Sequence, residues 1–276
     1  MNALIELFQQ SLFFWLFSCF VVGLCVGSFI NVVCWRLPIM IANETNEDKD
    51  NFNLSWPNSY CPSCNTAIKV SDNIPILSYL LLQGKCRSCN SPISPQYPLI
   101  ELVSGCILVV IGYYFGVSLP FLFYSAASLI LLALVIIDVK HMLLPDLLNY
   151  CLLWLGLLAS VCDVSIAADD AIIGAIAGYL SLWSLYWAFK LITHKEGLGY
   201  GDFKLVAAIG SWIGWQLLPL LLLIAAVLGL IYAVAIGRLK QSQQPIAFGP
   251  FIAFAGLACI FAGDKLWQSY TNFIIG

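Results

Sequence analysis

Charged side chains are scarce in this sequence. Of 276 residues only 10% are Asp, Glu, Lys or Arg, against 61% hydrophobic, and the mean hydropathy is +0.90. Soluble domains carry about a quarter charged residues, so a surface this poor in charge excludes an ordinary water-soluble globule. Histidine is nearly absent too: His141 and His194 stand apart in sequence and read as residues of the membrane interface. No HExxH zinc-protease helix, Walker A loop or serine nucleophile elbow is present. The net charge is only -3, and no basic stretch interleaved with aromatics occurs, which argues against nucleic-acid binding. No internal repeat stands out.

Long apolar runs are what the chain has instead. A membrane-spanning helix needs about 20 mostly apolar residues. Candidates cover residues 12–35, 100–117, 119–137, 147–163, 170–192, 217–236 and 246–263. Phe203 to Trp215 is a shorter eighth candidate, expected to be tilted, extended or recessed within the protein. The first run has only Glu6 before it and exceeds the roughly 7–15 residues of a signal-peptide core, so it reads as a retained helix. Pro120 and Pro219 open spans after short turns, where a missing N–H is harmless.

Basic residues in short loops set orientation. With the loop after the first span inside and the rest alternating, eleven of twelve Lys and Arg residues fall on the cytoplasmic side. Lys265 alone falls outside. The expectation is an all-α, multi-pass membrane protein of about eight spans, embedded in the lipid bilayer, with both termini outside. Three regions follow: residues 1–37 as the first span, 38–98 as a cytoplasmic loop, and 99–276 as a helical membrane domain. The loop opens on a polar, acidic stretch, Asn43 to Asn53, that reads as a linker.

Eleven cysteines are present, and seven of them lie in or beside apolar spans, where free cysteine packs as a small hydrophobe. The other four stand as Cys61-Pro-Ser-Cys64 and Cys86-Arg-Ser-Cys89 in the loop. Two CxxC turns at this separation match a four-thiolate zinc site. Disulfides are the alternative, and they are rare in the reducing cytoplasm. With four protein ligands no coordination position is left for water or substrate, so the metal is expected to be structural.

Two aspartates stand at the same membrane face and at similar depth. Asp138 ends the apolar run Ser128 to Ile137, and Asp202 lies in Gly197-Leu-Gly-Tyr-Gly-Asp202-Phe-Lys204. Either one alone reads first as a helix cap or a solvated interfacial charge. Together, two close carboxylates share a proton and supply an acid and a base for activating water on a peptide bond. Asp146, after Pro145, competes for the first position but fits a helix start at least as well. The glycine run has GxGxG spacing and no preceding strand, which excludes a dinucleotide loop.

Taken together these residues resemble the type IV prepilin peptidases, which also serve type II secretion pseudopilins. The motifs run in that family's order along nearly the whole chain. They are Gly27-Ser-Phe-Ile-Asn31-Val-Val-Cys-Trp-Arg36-Leu-Pro38, the paired CxxC loop, Asn73-Ile-Pro75, Tyr97-Pro-Leu-Ile-Glu101, Asp138 with Leu144-Pro-Asp146, the Gly-Asp202 motif and Phe248-Gly-Pro-Phe251. The resemblance implies a protein of the bacterial inner membrane that removes the leader of prepilins or pseudopilins at the cytoplasmic face. It also implies N-methylation of the new terminus with S-adenosylmethionine, since relatives with the long loop look bifunctional. By the same resemblance Asp138 and Asp202 are the catalytic pair, and zinc and S-adenosylmethionine are the groups bound. A peptidase without methyltransferase activity, a zinc-gated transporter and a non-enzymatic assembly scaffold are the competing readings. The substrate's identity, the methyl-donor pocket and the oligomeric state are not legible.

Overall fold

A computed structural model describes residues 11–43, 52–194, 199–236 and 246–275, together with Phe8. Gly197 of the glycine motif, most of the acidic linker, and the basic residues Lys49, Lys195, Arg238 and Lys240 lie outside the described residues. The helices are α1 Leu12–Asn43, α2 Leu77–Leu81, α3 Gln96–Phe115, α4 Leu119–His141, α5 Asp146–Val161, α6 Ala168–Thr193, α7 Tyr200–Ile213, α8 Leu218–Ala235 and α9 Gly249–Ile275. No strand occurs among the described residues; two isolated β-bridges, Tyr60 with Ala67 and Lys85 with Pro92, lie in the loop. The protein is therefore the expected all-α membrane protein.

Among the described residues, five helices are long and apolar enough to cross a bilayer: α1, α3, α4, α6 and α8. Helix α5 and the apolar part of α9, Gly249–Gly263, are shorter, and α7 has only 14 residues. The first helix does not stop at Arg36 but continues through Pro38 to Asn43. The apolar sequence after the arginine carries it on, with Leu37 and Pro38 buried, at the loss of the one hydrogen bond that proline cannot donate.

Two compact units form, Met1–Ser125 and Ala126–Gly276. In the first, α1 packs along α3 through small residues, because lipid offers no hydrophobic drive and close van der Waals contact must hold the pair. A Cβ on Gly23 would meet Gly105 Cα at 2.6 Å, and one on Gly27 would meet Glu101 Cα at 2.7 Å. Trp15 adds a buried hydrogen bond, its indole N–H donating to the Gly112 carbonyl at 2.9 Å.

In the second unit α7 is the core. Eleven of its fourteen residues are buried, with Phe203, Leu205, Val206, Ala208 and Ile209 fully enclosed. It crosses α6 where Gly210 faces Gly174 and Gly178 faces the Val206 carbonyl, contacts no larger residue permits. It meets α5 through Trp212, whose indole N–H donates to the Leu152 carbonyl at 3.1 Å. On the outer helices Ile172, Ile176, Leu180, Leu223 and Leu230 remain exposed, as suits side chains solvated by lipid.

Candidate active site and metal centre

The two cysteine knuckles share one backbone pattern. In the first knuckle the Cys61 carbonyl accepts from Asn65 N–H and Cys61 N–H donates to the Thr66 carbonyl, at 2.8 and 3.0 Å. The second knuckle repeats both bonds, with Asn90 N–H to Cys86 and Cys86 N–H to Ser91, each at 2.9 Å. Asn65 and Asn90 take positive φ values of 55° and 58°, a conformation asparagine tolerates better than most residues. An internal repeat is therefore present after all: Cys-x-Ser-Cys-Asn-Thr-x-Ile at 61–68 and Cys-x-Ser-Cys-Asn-Ser-x-Ile at 86–93. Each copy is a single turn, too short for the long period by which repeat folds announce themselves.

The four sulfurs lie within 4.8 Å of one another. A tetrahedral zinc with Zn–S bonds of about 2.3 Å needs sulfurs roughly 3.8 Å apart, and Cys61 Sγ lies 3.9 Å from Cys89 Sγ. Hydroxyls surround them: Ser91 Oγ is 3.1 Å from Cys89 Sγ and 3.6 Å from Cys61 Sγ, and Thr66 Oγ1 is 3.3 Å from Cys64 Sγ. The Ser63 backbone N–H, with help from the Ser91 hydroxyl, lowers the Cys61 thiol to about 6. The Ser91 hydroxyl likewise lowers Cys89. Thiolates, spacing and outer hydrogen bonds thus fit a soft tetrahedral metal. Asp72 steadies the second knuckle by accepting from Arg87 Nε at 2.8 Å and from its terminal nitrogen at 2.6 Å.

In the second unit three of the sequence motifs converge. Asp138 stands near the end of α4 and Asp202 in the first turn of α7, and both are buried, at 5% and 7% exposure. Asp202 Oδ2 accepts the N–H of Gly199 at 3.3 Å, which holds the carboxylate over its own helix start. The Asp138 carboxyl lies close enough for its charge to act on Asp202. Gly249, which opens α9, directs its backbone N–H at the Asp138 carboxyl. A Cβ there would stand 2.5 Å from Asp138 Oδ2. That oxygen is buried without a hydrogen-bond partner among the described residues. Leu144 completes the junction, since a Cβ on Gly201 would meet it at 2.8 Å and one on Gly249 at 3.1 Å.

Asp146 is not part of this cluster. It begins α5, is half exposed, and accepts from Lys204 Nζ through both oxygens. Nothing in the Phe248–Phe251 motif gives Gly249 a role; packing shows that its missing side chain makes room beside Asp138. His194 caps the end of α6 in a left-handed conformation, and His141 ends α4.

Comparison with known proteins agrees along the whole chain. Residues 21–115 match the family model described as the bacterial peptidase A24 N-terminal domain, and residues 125–234 match the type IV leader peptidase family. A prepilin leader peptidase/N-methyltransferase of Aeromonas salmonicida is 43% identical over 291 residues, covering all of both chains. Its namesake in Aeromonas hydrophila is 44% identical over 92% of this chain and 93% of its own. That of Pseudomonas aeruginosa is 44% identical over 91% of each. No solved structure matches the chain.

Proposed function

We propose, from the premise that this chain belongs to the type IV leader peptidase family, that Asp138 and Asp202 are the acid–base pair of a bifunctional prepilin peptidase and N-methyltransferase. The protein removes the leader of a type IV prepilin or pseudopilin and methylates the amino terminus so released. One observation carries the catalytic assignment. Two carboxyls from different helices are buried within reach of each other's charge, with a glycine in place of a side chain beside one of them.

Buried carboxyls that feel each other's charge retain one proton between them. The ionised member takes a proton from water as the oxygen attacks the peptide carbonyl; the protonated member gives one to the departing amine. Gly199 N–H and Gly249 N–H orient the two carboxyls. The unpartnered Oδ2 of Asp138 is the atom placed to hydrogen-bond the reacting water or carbonyl. Gly201 and Gly249 keep the approach narrow but free of side chains, as an extended backbone requires.

Cys61, Cys64, Cys86 and Cys89 would hold a zinc ion, which would supply folding free energy rather than chemistry. S-adenosylmethionine is the methyl donor, supplying an electrophilic methyl group. The chain crosses the bacterial inner membrane eight times, the three shorter helices α5, α7 and α9 completing the set; reporter fusions after Arg36, Lys140, Lys195 and Lys240 all report cytoplasm if this is right. The decisive assay incubates detergent-purified protein with a prepilin and S-adenosylmethionine and reads product masses. Loss of the leader with gain of one CH2 supports the full reading. Leader loss without the methyl gain leaves a peptidase alone, and an intact prepilin refutes the assignment.

A further inference from the structure

The first unit holds a cavity of about 410 Å³ between the ends of α1 and α3 and the cysteine loop. That lies within the roughly 300–1,000 Å³ of small-molecule sites. Its wall contains Asn31, Arg36, Tyr60, Tyr97 and Glu101. None of these serves the aspartate pair, and two are charged residues buried at the cytoplasmic ends of membrane helices, at 3% exposure for Arg36 and 8% for Glu101. Buried charges this costly are kept for a purpose.

Each is held in place by neutral backbone groups. Arg36 donates to the carbonyls of Asn53 at 2.9 Å and Pro57 at 2.6 Å. Glu101 Oε2 accepts the N–H of Ile76 at 2.8 Å. That N–H is delivered at a conformational cost: Ile76 has φ 58° and ψ −50°, an outlier for a β-branched residue. Strain of this kind persists where surrounding structure enforces it, and clusters at ligand sites. Asn31 Nδ2 donates to the Tyr97 carbonyl at 3.1 Å, fixing the start of α3 against α1. The result is a rigid cavity whose wall carries two carboxylates, Glu101 and Asp72, two guanidiniums, Arg36 and Arg87, and the rings of Tyr60, Tyr79 and Tyr97. Asp72 and Arg87 are already paired with each other, which leaves Glu101 and Arg36 as the charges without an ionic partner in the wall.

We propose that this cavity is the methyl-donor site, and that it takes the amino-acid and adenine ends of S-adenosylmethionine. The proposal rests on the reading that S-adenosylmethionine is the donor. The charges match: an amino acid presents an ammonium to Glu101 and a carboxylate to Arg36, and a guanidinium is the side chain best suited to a carboxylate. A flat, neutral heterocycle suits the tyrosine faces. The transfer balances without a further reagent. The lone pair of the free terminal amine forms the N–C bond to the methyl carbon. The S–C bond breaks with its electron pair staying on sulfur, which becomes a neutral thioether, and the positive charge moves to the methylated amine.

Isothermal titration of the full-length, zinc-loaded protein in detergent with S-adenosylhomocysteine tests this directly. Wild type is expected to bind one equivalent. Glu101→Gln keeps an acceptor for Ile76 but removes the charge, and is expected to weaken binding at least about ten-fold. Tyr97→Leu keeps the backbone carbonyl that Asn31 needs but removes the ring, and is expected to weaken it roughly ten-fold. Zinc content and leader cleavage, measured on the same samples, report that both variants are folded; should Glu101→Gln lose zinc, Tyr97→Leu decides. Unchanged binding in folded variants overturns the proposal while leaving the donor's identity intact. Loss of binding for a phenylalanine-initiated peptide alone, with S-adenosylhomocysteine unaffected, assigns the cavity to the acceptor instead and also overturns it. No binding by wild type removes the donor reading itself.

Discussion

Lys204 holds Asp146 by both carboxylate oxygens, its Nζ lying 2.6 Å from each. The lysine stands two residues beyond Asp202, so the pair ties the start of α5 to the start of α7. Asp146 is thereby an anchored, solvent-reaching charge, while Asp138 is buried against Gly249. The two candidates for the first carboxylate of the site are thus in different chemical environments.

Asp138→Asn and Asp202→Asn should each reduce leader cleavage by about 10²–10⁴-fold, the usual contribution of general acid–base catalysis. The double variant should be hardly worse, as for groups that act as a unit. Asp146→Asn loses only a partly exposed ion pair worth about 0–1 kcal/mol, so its cleavage should stay within about ten-fold of wild type. Initial rates on one prepilin settle the comparison, and near-normal cleavage by Asp202→Asn would end the aspartyl mechanism.

Gly249→Ala should damage cleavage although alanine is the smallest change available. Its Cβ would stand 2.5 Å from Asp138 Oδ2 and 3.1 Å from Leu144, so the carboxyl must shift. Methylation of a pre-cleaved substrate should be retained. A variant that cleaves at the wild-type rate would show that Asp138 needs no open flank.

Metal retention should depend on pH in a definite direction. The Cys61 thiol is lowered from 9.0 to about 6, so it stays ionised above that value and takes up a proton as pH falls through it. Stability contributed by the thiolate is therefore full above about pH 9, declines as pH falls below that, and is lost as pH passes through about 6. Bound zinc lowers the thiol further, which puts release at or below about pH 6. A chromophoric chelator follows the release, and Ser91→Ala, which removes a hydroxyl from Cys61 and Cys89, should move it to higher pH. Release already complete at pH 8 would contradict the four-thiolate site.

Gly210→Leu should lower thermal stability in detergent sharply, because the α6 backbone at Gly174 occupies the space a side chain would need. Overpacking typically costs about 1–3 kcal/mol, and a backbone neighbour leaves little room for relief. Gly116→Ala provides the contrast: nothing lies within 4 Å of its Cβ, though its φ of 59° still imposes backbone strain. Equal melting temperatures for Gly210→Leu and wild type would show that the α6–α7 crossing is loose.

The sequence was most legible where a residue type breaks its surroundings. Asp138 ends an apolar run, Asp202 opens one beside glycines, and the cysteines come in spaced pairs, so both clusters were foreseeable. The helix end was not marked by Arg36, because carbonyls from the loop accept its hydrogen bonds and α1 runs on to Asn43. Gly249 was invisible in its role, since nothing local marks a glycine whose neighbour comes from a distant helix. The knuckle repeat was overlooked because attention to metal spacing stops at sulfur, while its asparagines and hydroxyls carry the turn and the outer hydrogen bonds. The length rule for spans presumes contact with lipid, and α7 has too little of that for the rule to apply.

A lipid-facing helix must match the hydrocarbon thickness around it, by tilting or by deforming the bilayer. Helix α7 is sheathed by protein along eleven of its fourteen residues, so its height is registered against α5, α6 and α9 and not against the lipid. In a thinner or thicker membrane the outer helices absorb the mismatch. The Asp202 carboxyl keeps its level relative to Asp138, and the depth at which a peptide is cut becomes a property of the protein rather than of the membrane it happens to occupy.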